Sequence, residues 1–287
     1  MKVNTKQINS NLETLMNNIS EWQLNSLNFF AQMLNMSIYW QGGKTESFFS
    51  IVENQKAKTN LLFDGLKSIH DTFLLIVNKY YSKGDNIYFN EDNINKIQDT
   101  MKLNISNFTS ISTTLNYLDY SFCNEEIEYL GKQKVENARL NNKILDMYNK
   151  YHSFYELILS SEEEIFNSIN KIEITTIEEI GEKDLLSNSV DTIEFNTTPI
   201  ESLLKKAVLF NNSINQNISD IKKILNNCTS NYESKNTDII KSLIQEVNKD
   251  FSNMKKSNDF FISLVYKKIE KYNQIAAKAQ EDLKDIA

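Results

Sequence analysis

The sequence predicts an all-α protein built as three consecutive long antiparallel helical hairpins that form an elongated helical bundle. Three observations carry that prediction. Only one proline and six glycines are spread over 287 residues, too few breakers for a sheet with many turns. Apolar side chains recur at three- and four-residue spacings over very long stretches, which is the period of a helix with one apolar stripe. Polar or glycine-containing breaks separate those stretches at intervals suited to paired arms.

The first arm carries Ile8, Leu12, Leu15, Ile19, Trp22, Leu27, Phe30, Leu34 and Ile38. The second carries Phe48, Val52, Leu62, Leu66, Ile69, Phe73, Val77 and Tyr80, with one polar gap around Gln55 to Thr59. Arms of this size are roughly 50 Å long at about 1.5 Å per residue, so the break between them folds two matched rods together. That break contains Trp40-Gln41-Gly42 and the only Gly-Gly step of the chain. Gly42 or Gly43 is expected to end the first helix in the left-handed conformation, Thr45 to N-cap the second, and Glu46 to place negative charge in its first turn. Trp40 ends the apolar stripe, so its ring is expected to cover the end of the interhelical seam. Gly43-Lys44-Thr45 looks like the end of a phosphate-binding loop. That pattern needs glycine at the position of Ile38 and a strand before it, so the phosphate reading fails.

Lys83 to Asn86 makes a turn, and a second hairpin follows. Its stripes are Ile94, Ile97, Met101, Ile105, Phe108, Ile111, Leu115 and Leu118, then Ile127 to Ile169 after a break around Ser121 to Asn124. Residues 172–198 are richer in β-branched residues and read as a connector with short extended pieces, the expected place for flexibility, a partner contact or a boundary. Thr198-Pro199-Ile200-Glu201 signals a helix start, with threonine as the cap. A third hairpin follows, with stripes from Leu203 to Leu225 and from Ile240 to Tyr272 around a polar break at Asn226 to Asn236. The segments are therefore 1–85, 86–171, a connector at 172–198, and 199–287. They share one plan with a period of about 85 to 110 residues, and their identity is too low to establish a repeat.

With Trp40, Gly42 and two matched arms in place, residues 1–85 resemble the WXG superfamily of small helical-hairpin proteins exported by type VII secretion systems of Gram-positive bacteria and mycobacteria. The resemblance implies a secreted effector or helical partner that leaves the cytoplasm without a cleaved signal peptide. It also implies association with small WXG-like helical proteins or with the secretion machinery, as members pair into four-helix bundles. The family's export signal is tyrosine followed four residues later by an acid, just after the second arm. Tyr81 and Asp85 match it in the expected place, while Tyr88/Asp92 and Tyr266/Glu270 fit the spacing elsewhere. The third hairpin has Tyr232 near the place of the tryptophan, as a degenerate WXG-like unit would, but no glycine beside it.

Composition limits the alternatives. A net charge of −7 argues against a nucleic-acid partner, which needs a basic face. The N-terminus lacks the apolar core of a signal peptide, and the longest apolar runs, such as Phe73 to Val77, are far too short to span a bilayer. Asparagine is abundant at 39 residues and Arg139 is the single arginine, a bias of AT-rich genomes. Cys123 and Cys228 read as two free thiols, and sequons such as Asn104, Asn107 and Asn217 carry no weight in so asparagine-rich a chain. No catalytic constellation, cofactor or metal site is expected. His70 and His152 stand alone, with Asp71 directed elsewhere by the helix, and the Glu125-Glu126 and Glu162 to Glu164 runs read as solvated charge. The aromatic stretches at Phe29-Phe30, Phe260-Phe261 and Tyr148 to Tyr155 read as core, and a hairpin with a second apolar face would seek another hairpin, so self-association is open. The rival readings are an α-helical pore-forming toxin and a structural helical-bundle scaffold.

Overall fold

A computed structural model describes residues 1–42, 45–118, 124–184 and 192–284. Among them run six long helices: α1 (Thr5–Asn35), α2 (Thr45–Tyr80), α3 (Glu91–Leu118), α4 (Asn124–Ile169), α5 (Thr197–Ser230) and α6 (Thr237–Lys284). Five short strands punctuate them: β1 (Lys2–Asn4), β2 (Trp40–Gly42), β3 (Asn86–Tyr88), β4 (Thr192–Phe195) and β5 (Tyr232–Glu233). The chain is all-α, and its helices pack as bundled hairpins. Gly43 as a helix-ending glycine, the Ser121 to Cys123 part of the second break, the Cys123 thiol, Ser187 to Val190 of the connector and the end of the tail lie outside the described residues.

The chain forms two compact units: residues 1–2 with 87–167, and residues 3–86 with 168–287. The smaller unit is the hairpin of α3 and α4. Met1 and Phe89 exchange backbone hydrogen bonds at 2.8 and 3.0 Å, and the Phe89 ring stacks on Tyr155 at 6.0 Å. The Tyr155 hydroxyl donates to Glu91 at 3.0 Å. The seam between the two helices is partly polar: the Asn137 amide donates to the Phe108 carbonyl and to Ser112.

In the larger unit the first and third hairpins interleave. α1 packs on both α2 and α5, and it runs antiparallel to α5, because Asn4 meets Asn231 while Tyr39 meets Asn196. The Asn4 side chain caps α1 by accepting from the Gln7 N–H at 2.9 Å. The apolar stripe turns inward much as its spacing predicts, with Ile8, Leu12, Leu15, Ile19 and Trp22 buried. Its end differs. α1 stops at Asn35 and a 3-10 turn covers Met36–Ile38, and this tighter winding puts Met36 inside and leaves Ile38 62% exposed. α5 begins at Thr197 with Asn196 as its cap residue rather than at a capping Thr198. Pro199 is then the third helical residue, still among the first four N–H positions that have no intrahelical acceptor.

Both helices of the third hairpin and the strand at its bend open 192 residues after their counterparts in the first: Thr5 and Thr197 open α1 and α5, Trp40 and Tyr232 open β2 and β5, and Thr45 and Thr237 open α2 and α6. The buried positions follow the same register, pairing Ile8 with Ile200, Leu12 with Leu204, Phe29 with Ile221, Phe48 with Ile240, Leu62 with Met254 and Val77 with Ile269. The contacts are reciprocal. The Asn4 N–H donates to the Asn231 carbonyl at 2.9 Å, and its counterpart, the Asn196 N–H, donates to the Tyr39 carbonyl at 2.9 Å. β1 neighbours β5, as β4 neighbours β2. Asn25 and Asn217, counterparts of each other, hydrogen-bond directly at 3.0 Å, which places them on a pseudo-two-fold axis between α1 and α5. This is the isologous contact pattern of a two-fold dimer, formed here within one chain.

Residues 172–181 of the connector are held as an extended strap between α2 and α6. Ile177 is fully buried; its N–H donates to the Asp250 carboxylate at 2.9 Å and its carbonyl accepts from Asn253 at 2.8 Å. The Ile180 N–H donates to Ser257 at 2.9 Å, and from α2 the Gln55 amide donates to the Glu178 carbonyl at 3.1 Å. Gly65 permits the approach, for a Cβ there would lie 2.8 Å from the Ile174 Cδ1 and 3.1 Å from the Glu173 carbonyl oxygen. The polar gap in the α2 stripe is thereby explained, since Gln55 and Thr59 are buried against polar partners.

Candidate recognition site at the helical bends

Trp40 leaves the 3-10 turn as the first residue of β2, which pairs antiparallel with β4, Trp40 opposite Phe195 and Gln41 opposite Glu194. Trp40 is 4% exposed. Around it stand Phe48 at 5.4 Å, Phe49 at 5.7 Å and Phe195 at 5.6 Å. Phe195 stacks in turn on Tyr272 at 4.4 Å, and Phe48 reaches Phe261 at 5.7 Å. Mixed edge-to-face and stacked contacts of this kind contribute beyond simple area burial. Trp40 therefore closes the end of the seam, and β4 closes over the bend in its turn.

Gly42 does not end the first helix. It lies in β2 at φ 155°, a conformation side chains resist, where the pairing register shifts between Gln41 and Gly42. The Thr45 hydroxyl donates to the Gly42 carbonyl rather than accepting as an N-cap, and Glu46 does lie in the first turn of α2. Of the three motif residues, Gln41 alone presents an exposed side chain.

Tyr81 and Asp85 lie at the other end of the hairpin, about 54 Å along α2 at about 1.5 Å per residue. Tyr81 starts a 3-10 turn that runs to Lys83 and is 62% exposed, and Asp85 is exposed as well. The turn is fixed through its backbone. The Thr5 N–H donates to the Asp85 carbonyl at 3.0 Å, and the Thr5 hydroxyl to the Gly84 carbonyl at 3.0 Å. Because Asn4 bonds Asn231, the consecutive residues Asn4 and Thr5 tie the Tyr232 bend to the Tyr81–Asp85 turn. Sequence reasoning did not bring these together; the recurrence of Asn-Thr at positions 4–5 and 196–197 was the available signal. Tyr266 and Glu270, one turn apart on α6, line a groove of about 620 Å³ with Leu204, Lys205 and Ile269.

The remaining candidates stay apart. His70 Nδ1 lies 3.0 Å from the Asp71 carboxylate, so the helix does not direct that neighbour away, yet the described residues hold no group of three metal-ligating side chains. His152 stacks on Tyr148 at 5.8 Å. Glu162 is buried while Glu163 and Glu164 are exposed, so the acidic run fans out with one member inward. Cys228 is a free, buried thiol, and burial pushes its pKa up to about 12. No described helix is long and apolar enough to cross a membrane.

No protein-family model and no solved structure matches the chain. Over 105 residues, 35% of this chain, it is 31% identical to trophozoite exported protein 1 of Plasmodium falciparum (isolate 3D7). The chain spans 9% of that protein's length, and the likeness carries no activity across.

Proposed function

We propose that this protein is a non-enzymatic recognition protein of the WXG kind, a substrate or helical partner of a type VII secretion system. The observation that carries the reading is the pair of bends in the larger unit. A Trp-x-Gly bend with matched arms is packed about a pseudo-dyad against a second hairpin whose bend has Tyr232 in the same register. Pairing of two hairpins into four helices is what the resemblance implies for two separate chains. In this reading one chain supplies both members, and the surfaces left for partners are the exposed ones.

The exposed pair Tyr81 and Asp85, on a turn fixed by Thr5, is the export signal in this reading. Removing both side chains leaves the backbone hydrogen bonds of the turn in place, so recognition separates from folding. Secretion from a type VII-competent Gram-positive host is the test. Tyr81→Ala/Asp85→Ala is expected to lower export at least tenfold with an unchanged melting temperature, and Tyr266→Ala/Glu270→Ala serves as the comparison. Export that is absent for the wild type, or equal for the wild type and both double variants, would overturn the proposal.

A further inference from the structure

We infer that the strap at residues 172–181 is a releasable latch, which lifts off and returns as a unit of its own while α1, α2, α5 and α6 stay folded. The inference does not depend on the secretion reading. Its first support is how the strap is held. Among the described residues, every hydrogen bond from the helices to the strap backbone comes from a side chain. Asp250 and Ser257 accept from the Ile177 and Ile180 N–H groups, and Asn253 and Gln55 donate to the Ile177 and Glu178 carbonyls. Ile177 is the one buried side chain among residues 172–181. The ion pairs Lys58–Glu178 at 3.4 Å and Lys256–Glu179 at 2.8 Å lie at the exposed rim, where such contacts add little. One apolar anchor and no strand ladder put this segment at the low end of local stability.

The second support is that both ends of the strap close on themselves. The Lys171 and Ile172 N–H groups donate to the Ser168 and Ile169 carbonyls at 3.2 and 3.0 Å. At the far end the Gly181 N–H donates to the Asp184 carboxylate at 2.8 Å, and the Asp184 N–H to the Gly181 carbonyl at 3.0 Å. These turns take nothing from the middle of the strap, so they bound the moving segment and serve as its hinges. The third support is the floor beneath it. Gln55, Asp250, Asn253 and Ser257 are polar, so water takes the place of the strap and release strands no buried polar group. The apolar seams of α1 with α2 and α5, and of α5 with α6, need not part. The floor is also asymmetric. In the 192-residue register the counterparts of Asp250, Asn253 and Ser257 are Lys58, Leu61 and Gly65. Two like hairpins thus differ where the strap lies, α6 supplying the polar partners and Gly65 of α2 the clearance, as a groove built for this segment requires.

Native-state hydrogen exchange of the full chain over low urea concentrations tests this without any variant. The Ile177 and Ile180 amides are expected to exchange at least about 100-fold faster than those of Ile19 and Ile221, fully buried in α1 and α5, through an opening that urea scarcely promotes because it uncovers little surface. Gly65→Ala sets a methyl against Ile174 and the Glu173 carbonyl and is expected to speed strap exchange at least about tenfold, with Ile19 and Ile221 unchanged. A thiol gives an independent readout. In Ile177→Cys the new thiol is expected to react with a maleimide at least about 100-fold faster than Cys228, which is buried in α5 and needs the helices to part. Strap amides that exchange at the core rate with the core's urea dependence, a thiol at position 177 no faster than Cys228, or equal loss of protection in strap and core in Gly65→Ala would each overturn the inference.

Discussion

At the residue scale the bend depends on the bulk of Trp40 more than on its polarity. The indole nitrogen is buried with no acceptor among the described residues, so Trp40→Phe removes an unsatisfied donor while keeping a ring among Phe48, Phe49 and Phe195. Phenylalanine is expected to stay within about 1 kcal/mol of the wild type, because relief of the buried N–H offsets lost packing. Trp40→Ala leaves a cavity and is expected to cost about 3–5 kcal/mol, as measured by urea unfolding. Asp250 makes a different prediction. Burial raises its carboxyl above the usual range, while the Ile177 N–H and Lys249 pull it back down. A carboxyl whose folded pKa is raised favours the fold when protonated. That stability is present below the unfolded carboxylate value and is lost as pH rises through the folded one. Asp250→Asn keeps an acceptor for Ile177 and does not titrate, so its melting temperature relative to the wild type is expected to climb across that window. A difference that stays flat or falls from acid to neutral pH would refute the assignment.

At the element scale, the arms were legible because a long helix repeats its signal every turn, as from Ile8 to Trp22. Their ends were less so. Sequence assigned the helix stop to glycine, but the chain uses a 3-10 turn at Met36–Ile38, and Gly42 serves a strand instead. That strand depends on β4, more than 150 residues away in sequence, and no local pattern encodes such a pairing. The strap was read as a place for flexibility because its composition is β-branched and punctuated. Its restraints come from Asp250, Asn253 and Ser257 of α6 and Gln55 of α2, single polar side chains that leave no periodic signal in the sequence. The central pair of helices offers a test at this scale. Asn25 donates to Asn217, and Asn217 donates to Glu21 at 3.2 Å. Asn217→Ala strands both partners and is expected to cost about 1–2 kcal/mol, whereas Asn25→Leu/Asn217→Leu replaces polar groups on both sides of the axis and is expected to cost less than the sum of the single changes. Additive losses in a double-mutant cycle would show that the two side chains do not meet.

At the scale of the whole molecule, sequence suggested three like hairpins in series, and the structure pairs the first with the third although the second separates them in sequence. The register escaped notice because few identities survive it: Asn4/Asn196, Thr5/Thr197, Ile8/Ile200, Leu12/Leu204, Asn25/Asn217, Thr45/Thr237 and Tyr80/Tyr272 are among the exceptions. What is kept is which positions are buried, as with Trp22 and Ile214 or Phe73 and Val265, and burial constrains hydrophobicity and volume more than identity. An intervening hairpin also hides a 192-residue repeat from any search at shorter periods. The pairing has a thermodynamic consequence. α1 shares its buried face with both α2 and α5, and the Trp22 ring meets Phe251 of α6 at 5.4 Å, so neither hairpin of the larger unit retains its core without the other. The two hairpins should therefore open as one cooperative unit despite their separation in sequence. Trp40→Ala in one bend and Tyr232→Ala in the other are each expected to lower the same transition, with hydrogen-exchange protection falling together in α1, α2, α5 and α6. Protection lost from α1 and α2 alone in the Trp40 variant, with α5 and α6 unchanged, would show two independent hairpins and remove the basis for reading them as a built-in pair.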